Sequence, residues 1–456
     1  MFAATGLLAL IFVEYLRPQE YFPVLLSVPL LHLATGLAVL GFAIDLRLGL
    51  ARLRPAPHLV LTLLFFGWCL LTLTVRAPDQ LLPRASALLI PLAIYLLVAH
   101  GIQSFRMLQA LCGLILAICL VLSAIGVEQG LAPWGCHRVV YTMGQRVFQY
   151  DGRPCDGDAD RNACEREGGE PGTDYVCERV GLLGTSSIHG RVRYRGTLQD
   201  PNELSLALGI ALPFAFAFFD RRRSLTRLLL LVLTGGLVGA CALLTESRGG
   251  QLVFLAVVAV YFVNRFGAWR GLAVGVLLVL PILVLGGRTG AEASTLERTE
   301  AWWIGLHLVA ASPGFGVGTG QFLEHHFRTA HNSLILTAAE LGLPGMLLWS
   351  SIAYVALKIP IQALRRADLA PVGRSWALAL LASMAGLLVG SFFLSYAYKD
   401  VLWIYLGLTG VLYQAVKRHD PGFEVGFGVR DLGIVALGDL VLLIMLVGYT
   451  GLKLGW

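Results

Sequence analysis

Apolar runs recur along the chain, and short polar segments separate them. About thirteen of these runs approach the roughly 20 residues that an α-helix needs to cross a bilayer. They cover residues 2–16, 24–44, 59–75, 86–100, 107–127, 203–219, 228–244, 251–263, 271–285, 333–357, 376–394, 401–416 and 432–452. Because a helix satisfies its own backbone groups in lipid, the pattern predicts an all-α, polytopic transmembrane bundle of about 12–13 spans. We expect a single integral membrane domain over residues 1–456.

The basic residues predict how this bundle is oriented, because Lys and Arg are enriched in cytoplasmic loops. They collect after every second span, as in the run RRRSLTR from Arg221 and in the segment from Lys358 to Arg374. These loops are therefore predicted to be cytoplasmic. Alternation of the spans then places two long loops, 129–201 and 286–331, on the opposite face of the membrane.

Composition narrows the class of protein further. Hydrophobic residues make up 56% of the 456 residues and charged residues only 14%, whereas soluble domains hold roughly 25% charged residues. The net charge of +6 follows from the basic cytoplasmic loops, and the sequence has no basic array interleaved with aromatic residues. We therefore expect membrane lipid as a partner and no nucleic acid.

The eight cysteines fall into two groups. One group lies inside apolar spans, where a thiol usually packs as a small core residue: Cys69, Cys112, Cys119 and Cys241. The other group shares the 129–201 loop: Cys136, Cys155, Cys164 and Cys177. An even number of cysteines in an oxidising compartment favours two disulfides, whose pairing the sequence leaves open. The spacing lacks a C-x2-C pair, so a zinc site is not predicted.

Arg248, in the segment LLTESRGGQL, is the first candidate site residue. It lies at the non-cytoplasmic end of one span, where Gly249 and Gly250 turn the chain into the next span. A guanidinium at the membrane surface needs an anion, and a substrate phosphate is one candidate. A snorkelling or structural arginine paired with Glu246 is an equally good interpretation.

His331 is the second candidate, at the non-cytoplasmic mouth of the span that begins near Ser333. An imidazole accepts a proton near neutral pH, as a general base acting on a hydroxyl must. Asn332 or Ser333 can cap the helix and leave its N–H groups facing an anion, and Asn332 is itself a possible substrate-binding residue. The alternative for His331 is a structural, hydrogen-bonded residue.

The same span carries a carboxylate and two glycines around a proline. Glu340 lies nine residues after His331, roughly 13 Å along a continuous helix, so it is too far away to orient the imidazole. We interpret it as a structural carboxylate satisfied by a neighbouring helix. Gly342, Pro344 and Gly345 predict a kink and close approach between helices.

The 286–331 loop contributes more candidates. Arg288, Arg298 and Arg328 are available to a phosphate. Four aromatic residues can stack on sugars or form an interfacial belt: Trp302, Trp303, Phe315 and Phe322. The run GFGVGTG lacks G-x-G-x-x-G spacing, so a dinucleotide site is excluded. His325 and His326 lack a third ligand, and we expect no metal.

Three alternating arginines, Arg191, Arg193 and Arg195, precede the span that begins near Glu203. They can clamp a diphosphate or meet lipid headgroups. The stretch from Asp200 to Asn202 is a helix-start signal.

The motifs around Arg248 and His331 resemble the O-antigen ligase superfamily. HNSLILTAAELG fits the pattern H-[NSQ]-x9-G at His331, Asn332 and Gly342, and RGGQL fits R-x3-L at Arg248 and Leu252. The segments GTLQDPNELSLALGIALP and SPGFGVGTGQF are also similar to this superfamily. It includes O-antigen ligases, O-antigen and exopolysaccharide polymerases, and protein O-oligosaccharyltransferases.

The resemblance implies a fold of the GT-C type and a metal-independent glycosyltransferase without cofactor. Such enzymes move a glycan from undecaprenyl diphosphate to an acceptor hydroxyl at the periplasmic face of the bacterial inner membrane. By motif, His331 would activate the acceptor, Arg248 would hold the diphosphate, and Arg298 would be a second phosphate ligand. The stapled loop from Cys136 to Cys177 is not part of the family pattern.

Two questions stay open at this level. The acceptor can be a lipid A core sugar, a growing glycan or a protein Ser or Thr, since ligase, polymerase and protein O-oligosaccharyltransferase share these motifs. A transporter or flippase of lipid-linked glycan is the alternative from another class. It would predict inverted repeats and ionisable residues near the bilayer midplane, whereas here they gather at one face.

Overall fold

The computed structural model describes residues 2–25, 27–142, 145–157, 163–166, 168–170, 172–221, 224–285, 291–366 and 368–455. Each of the predicted apolar segments overlaps a helix. The helices are α1 Phe2–Leu16, α2 Leu30–Arg47, α3 Leu59–Arg76, α4 Leu81–Gly101, α5 Phe105–Leu131, α6 Ala163–Arg166, α7 Pro201–Arg221, α8 Leu225–Leu244, α9 Arg248–Phe266, α10 Ala268–Leu285, α11 Ala291–Ala311, α12 Ser333–Arg365, α13 Pro371–Phe393, α14 Asp400–His419 and α15 Val429–Leu454.

The prediction of an all-α, polytopic membrane protein is confirmed. Within the described ranges, ten helices are long and apolar enough to cross a membrane: α2, α3, α4, α5, α7, α8, α9, α12, α13 and α15. Helices α1 and α10 contain shorter apolar stretches. Helix α14 is enclosed by its neighbours over most of its length, from Val401 to Tyr413. The chain is a multi-pass membrane protein.

One long segment differs from its prediction as a loop. Residues 286–331 contain α11, a helix of 21 residues. It escapes an apolar-run search because only one of its faces is buried. Trp302, Val309 and Ile335 share a core cluster, so α11 packs across the first turn of α12. A β-carbon at Gly305 would lie 2.4 Å from the Ile335 side chain, which explains the glycine at this contact.

The other long segment, 129–201, folds into a small antiparallel sheet. Its strands are β1 Trp134–Thr142, β2 Gln145–Pro154 and β3 Tyr175–Arg179, in the order β2-β1-β3. Disulfides join Cys136 to Cys164 and Cys155 to Cys177. The sulfurs of Cys136, Cys155 and Cys164 lie close enough together to hold a metal, but each belongs to a disulfide. We call residues 134–195 the cap.

Helix α12 is broken where the sequence predicts a kink. Gly342 has φ 69° and ψ −175°, which only glycine adopts readily. A β-carbon there would lie 2.5 Å from the carbonyl oxygen of Gly314, so the glycine-rich loop packs directly against the break. Gly316 makes the reciprocal approach, with a β-carbon 2.4 Å from the Glu340 carbonyl carbon. The run GFGVGTG is thus a packing element of the α12 kink.

Candidate functional site

A cavity of about 570 Å³ lies at the end of the bundle where α7, α9 and α12 begin. It brings together six of the predicted site residues: Arg191, Arg193, Arg248, Arg298, Arg328 and His331. Three carboxylates, Asp200, Glu246 and Glu297, also line it. Five arginines therefore face three acids, and the cavity carries a positive excess that suits an anionic ligand.

Arg248 opens α9, and a polar network fixes the start of that helix. Ser247 is the N-cap: its Oγ accepts a hydrogen bond of 2.9 Å from the Gly250 N–H and donates one of 2.6 Å to Asn202 on α7. A β-carbon at Gly250 would lie 1.9 Å from the Ser205 Oγ, so α7 and α9 meet here through glycine. The turn precedes Arg248, whereas the sequence suggested that Gly249 and Gly250 form it.

The Arg248 side chain is exposed and lines the cavity. Within the described part of the chain it forms no ion pair with Glu246, the partner that the structural interpretation required. Glu246 instead occupies the turn with φ 48° and lines the cavity beside it. The guanidinium is therefore directed to the cavity, where an anion can meet it.

His331 lies just outside α12 and is held by the link between α13 and α14. Its N–H donates a 3.0 Å hydrogen bond to Ser395 Oγ, in the link between α13 and α14. Ser333 reinforces this contact by donating to the Leu394 carbonyl and accepting from the Tyr396 N–H. Burial, followed by the positive charge of Arg298, lowers the pKa of His331 below its usual value. The imidazole is therefore neutral at physiological pH and can accept a proton.

Asn332 does not line the cavity, although it was a candidate for substrate binding. It is fully buried, and its Oδ1 accepts from the N–H groups of Leu334 and Ile335 at 2.9 and 3.1 Å. These are two of the N–H groups that were predicted to face an anion. The Asn332 side chain satisfies them within the protein, because an asparagine at the N-cap position reaches them without any ligand.

Helix α11 and the segment after it contribute two of the arginines. Arg298 lines the cavity from α11, close enough to His331 to influence its pKa. Arg328 forms a 2.7 Å ion pair with Glu297, and both line the cavity. Its charge is therefore already partly compensated. Arg288 lies outside the described residues.

The three alternating arginines of the cap divide between the cavity and its support. Arg191 is buried, and its Nε donates to the Thr245 carbonyl at 2.9 Å, which ties the cap to the turn before Arg248. Arg193 donates to the Ser186 carbonyl at 3.0 Å. Arg195 does not line the cavity: its guanidinium donates to the carbonyls of Glu20, Leu183 and Gly184. It supports the fold of the cap.

The predicted sugar-stacking aromatics do not line the cavity. Trp302 and Phe322 are buried in the core between α11 and α12, and Phe315 stacks on Trp68 at 5.3 Å. Trp303 lies against His307 at 3.9 Å.

Glu340 is buried, and the segment between α11 and α12 contacts its carboxylate. Its Oε1 accepts from the Phe322 N–H at 3.1 Å.

Strained backbone is concentrated at the cavity. Five described residues other than glycine have positive φ, and three of them line the cavity: His189, Glu246 and His331, at 53°, 48° and 47°. Such conformations are costly for residues with a β-carbon, and they cluster at sites where function requires them. His189 lines the cavity although no sequence motif marks it.

Comparisons with known proteins agree with the motifs. Residues 230–350 match the family model described as O-antigen ligase, Wzy_C. This match confirms the predicted resemblance to the O-antigen ligase superfamily. The matched segment includes Arg248, Arg298 and His331 and ends in α12. The cap lies before it.

Among solved structures, a chain from the study "Structural coordination of polymerization and crosslinking by a peptidoglycan synthase complex" aligns with a TM-score of 0.41. The sequences are 18% identical, and the alignment covers 80% of this chain and 98% of that chain. No curated protein matches the sequence.

Proposed function

We propose that the protein is a glycosyltransferase that moves a glycan from undecaprenyl diphosphate to an acceptor hydroxyl, in the manner of an O-antigen ligase. One observation carries the proposal: Arg248, which begins α9, and His331, which precedes α12, line the same positively charged cavity. The family match over residues 230–350 supports it. The expected location is the bacterial inner membrane, with the cavity facing the periplasm.

The reaction follows from these two groups. His331 takes the proton of the acceptor hydroxyl, and the oxygen attacks the anomeric carbon of the donor sugar. The bond from that carbon to the phosphate oxygen breaks, and its electron pair leaves with the undecaprenyl diphosphate. Arg248 and Arg298 stabilise the negative charge that grows on the leaving group, an interaction that is strongest in the transition state. Arginine supplies the cationic charge, so we propose a metal-independent reaction.

The periplasmic assignment draws on two features. Basic loops collect on the face opposite to the cavity, as in cytoplasmic loops. The cap beside the cavity holds two disulfides, which persist in oxidising compartments such as the periplasm.

The proposed acceptor is a hydroxyl of a lipid A core sugar, of a growing glycan or of a protein Ser or Thr, because ligases, polymerases and protein O-oligosaccharyltransferases would use the same groups. The cavity arginines and His331 gather at one end of the bundle, which favours an enzyme over a transporter.

The test uses purified protein in lipid nanodiscs with a lipid-linked glycan donor. A lipid A core, a free glycan chain and a Ser/Thr peptide are offered in turn, and the acceptor that is modified identifies the activity. His331→Asn should lower the transfer rate by about 100-fold or more, because it removes the base. Asparagine tolerates the positive φ of this position, so the variant should fold. His325→Ala, an exposed histidine outside the cavity, is the matched control.

Arg248→Lys should also lower the rate, because a point charge does not reproduce the two parallel hydrogen bonds of a guanidinium. Arg265→Lys is its control, at the opposite end of α9, where Arg265 pairs with Asp220 at 3.0 Å. Full transfer by His331→Asn would remove the proposed base. Unchanged turnover by Arg248→Lys would return Arg248 to a structural role.

A further inference from the structure

His189 occupies a tight turn whose tip lines the cavity. The N–H groups of Ile188 and Arg191 each donate to the other residue's carbonyl, at 3.0 and 3.1 Å. The two central residues, His189 and Gly190, have φ 53° and 74°. A two-residue hairpin with positive φ at both central positions has the character of a type I′ turn.

A buried carboxylate of the cap holds this turn in place. Glu178, on β3, is 3% exposed. Its oxygens accept from the N–H groups of His189 and Gly190 at 2.6 and 3.1 Å, and from the Ser187 hydroxyl. The preceding residue, Cys177, is bonded to Cys155. The turn is therefore anchored to the disulfide-bonded sheet, and the sheet determines where the imidazole lies.

His189 adopts a backbone conformation that is costly for a residue with a β-carbon. Asparagine, aspartate and glycine are preferred at the first central residue of such a turn, because they accept positive φ more readily. Strained residues cluster at functional sites, and this turn places an imidazole in the same cavity as His331 and the arginines.

We propose that His189 contacts the donor glycan, hydrogen-bonding a hydroxyl of the sugar attached to the diphosphate, with Glu178 as the positioning residue. This inference rests on the proposed function. An imidazole nitrogen can donate a hydrogen bond or accept one, and a sugar hydroxyl can do the same. The arginines provide the charged, bidentate contacts that phosphate prefers. The cavity thus divides into groups that bind the diphosphate and a histidine that binds the sugar.

The test compares two probes in nanodiscs: undecaprenyl diphosphate and the same lipid carrying one sugar. The wild-type protein should bind the glycosylated probe more tightly than the bare diphosphate. In His189→Gly this preference should fall by about 10-fold, while the affinity for bare undecaprenyl diphosphate stays the same. Glycine relieves the positive φ, so the variant should unfold at the same or a higher temperature than the wild-type protein.

Leu183→Gly is the matched control. Leu183 also lies in the cap, with φ 57°, and is 62% exposed outside the cavity. Its replacement relieves similar strain and should leave the preference for the glycosylated probe unchanged.

Glu178→Gln keeps the imidazole but weakens the anchor of its turn. We expect a partial loss of the preference and a raised KM for the glycosylated donor, with a smaller change in kcat. A merely structural role would lower the unfolding temperature without changing that preference.

The inference is wrong if His189→Gly keeps the wild-type preference, or if the wild-type protein does not distinguish the two probes. If the protein prefers the glycosylated probe but transfers no glycan to any acceptor, the proposed glycosyltransferase activity is wrong and the contact between His189 and the sugar is not. The experiment therefore distinguishes failure of the inference from failure of the proposed function.

Discussion

We predict that Asn332 contributes to stability by capping α12 and takes no part in glycan transfer, although it adjoins the proposed base. In Asn332→Ala the N–H groups of Leu334 and Ile335 lose their common acceptor. Losing an N-cap costs about 0.5–2 kcal/mol, and a buried donor left unpaired costs about 1–3 kcal/mol. Because Asn332 is 0% exposed, water does not replace it easily. We expect the free energy of unfolding to fall by about 1–3 kcal/mol.

The variant Asn332→Asp distinguishes helix capping by Asn332 from a contact between its amide group and the substrate. A carboxylate accepts the same two N–H groups and is favoured at a helix N-terminus. It also removes the Nδ2 group, which has no hydrogen-bond partner among the described residues. We therefore expect Asn332→Asp to unfold closer to the wild-type protein than Asn332→Ala and to retain transfer.

The assay is thermal unfolding in detergent, paired with the transfer rate at a temperature where every variant is folded. Asn264→Ala is the control, because Asn264 is exposed near the end of α9 and should change the free energy of unfolding by less than about 0.5 kcal/mol. The capping argument is refuted if Asn332→Ala unfolds like the wild-type protein while losing transfer, or if Asn332→Asp loses transfer completely. Either result would place the amide on the substrate.

Three further predictions concern the base, the kink and the cap. Since burial and Arg298 lower the pKa of His331, kcat/KM should be constant near pH 7 and fall only below pH 6.5. Arg298→Gln should move this inflection to higher pH. An inflection above pH 6.5 in the wild-type protein would contradict the prediction. Gly342→Ala should lower the free energy of unfolding by at least about 1–2 kcal/mol, measured by thermal unfolding against Gly448→Ala, whose β-carbon would meet nothing within 4 Å. Replacing Cys155 and Cys177 together by Ser should lower the stability of the cap by about 3 kcal/mol, because this disulfide closes a loop with a sequence separation of 22. Limited proteolysis that cuts the wild-type and variant caps at equal rates would refute this.

Hydropathy predicted the helices because insertion into lipid depends on the apolar content of each segment. The same criterion missed α11, because its charged residues lie in its first half and leave only a short apolar stretch around the buried Trp302 and Val309. It also missed the sheet of the cap, since that segment reads as a polar, cysteine-containing loop. In both cases tertiary packing, not the local apolar run, stabilises the element.

The candidate site residues also divide into those that the sequence identified and those that only the packed structure assigned. Arg248 and His331 were identified from short motifs, and the cavity holds both. Arg195 and Asn332 had equally suitable side chains, but backbone groups of the protein occupy them. His189 carries no motif, and only the turn anchored by Glu178 places it in the cavity.

The sequence by itself determined that the protein is a multi-pass helical membrane protein with a histidine and an arginine typical of O-antigen ligases. These properties depend on residue type and on short spacing, which the order of residues contains directly. The tertiary structure alone decided which polar groups remain directed to the cavity and which satisfy the backbone. That choice depends on contacts between distant segments, because each buried N–H or carbonyl takes the nearest partner that the packed chain supplies.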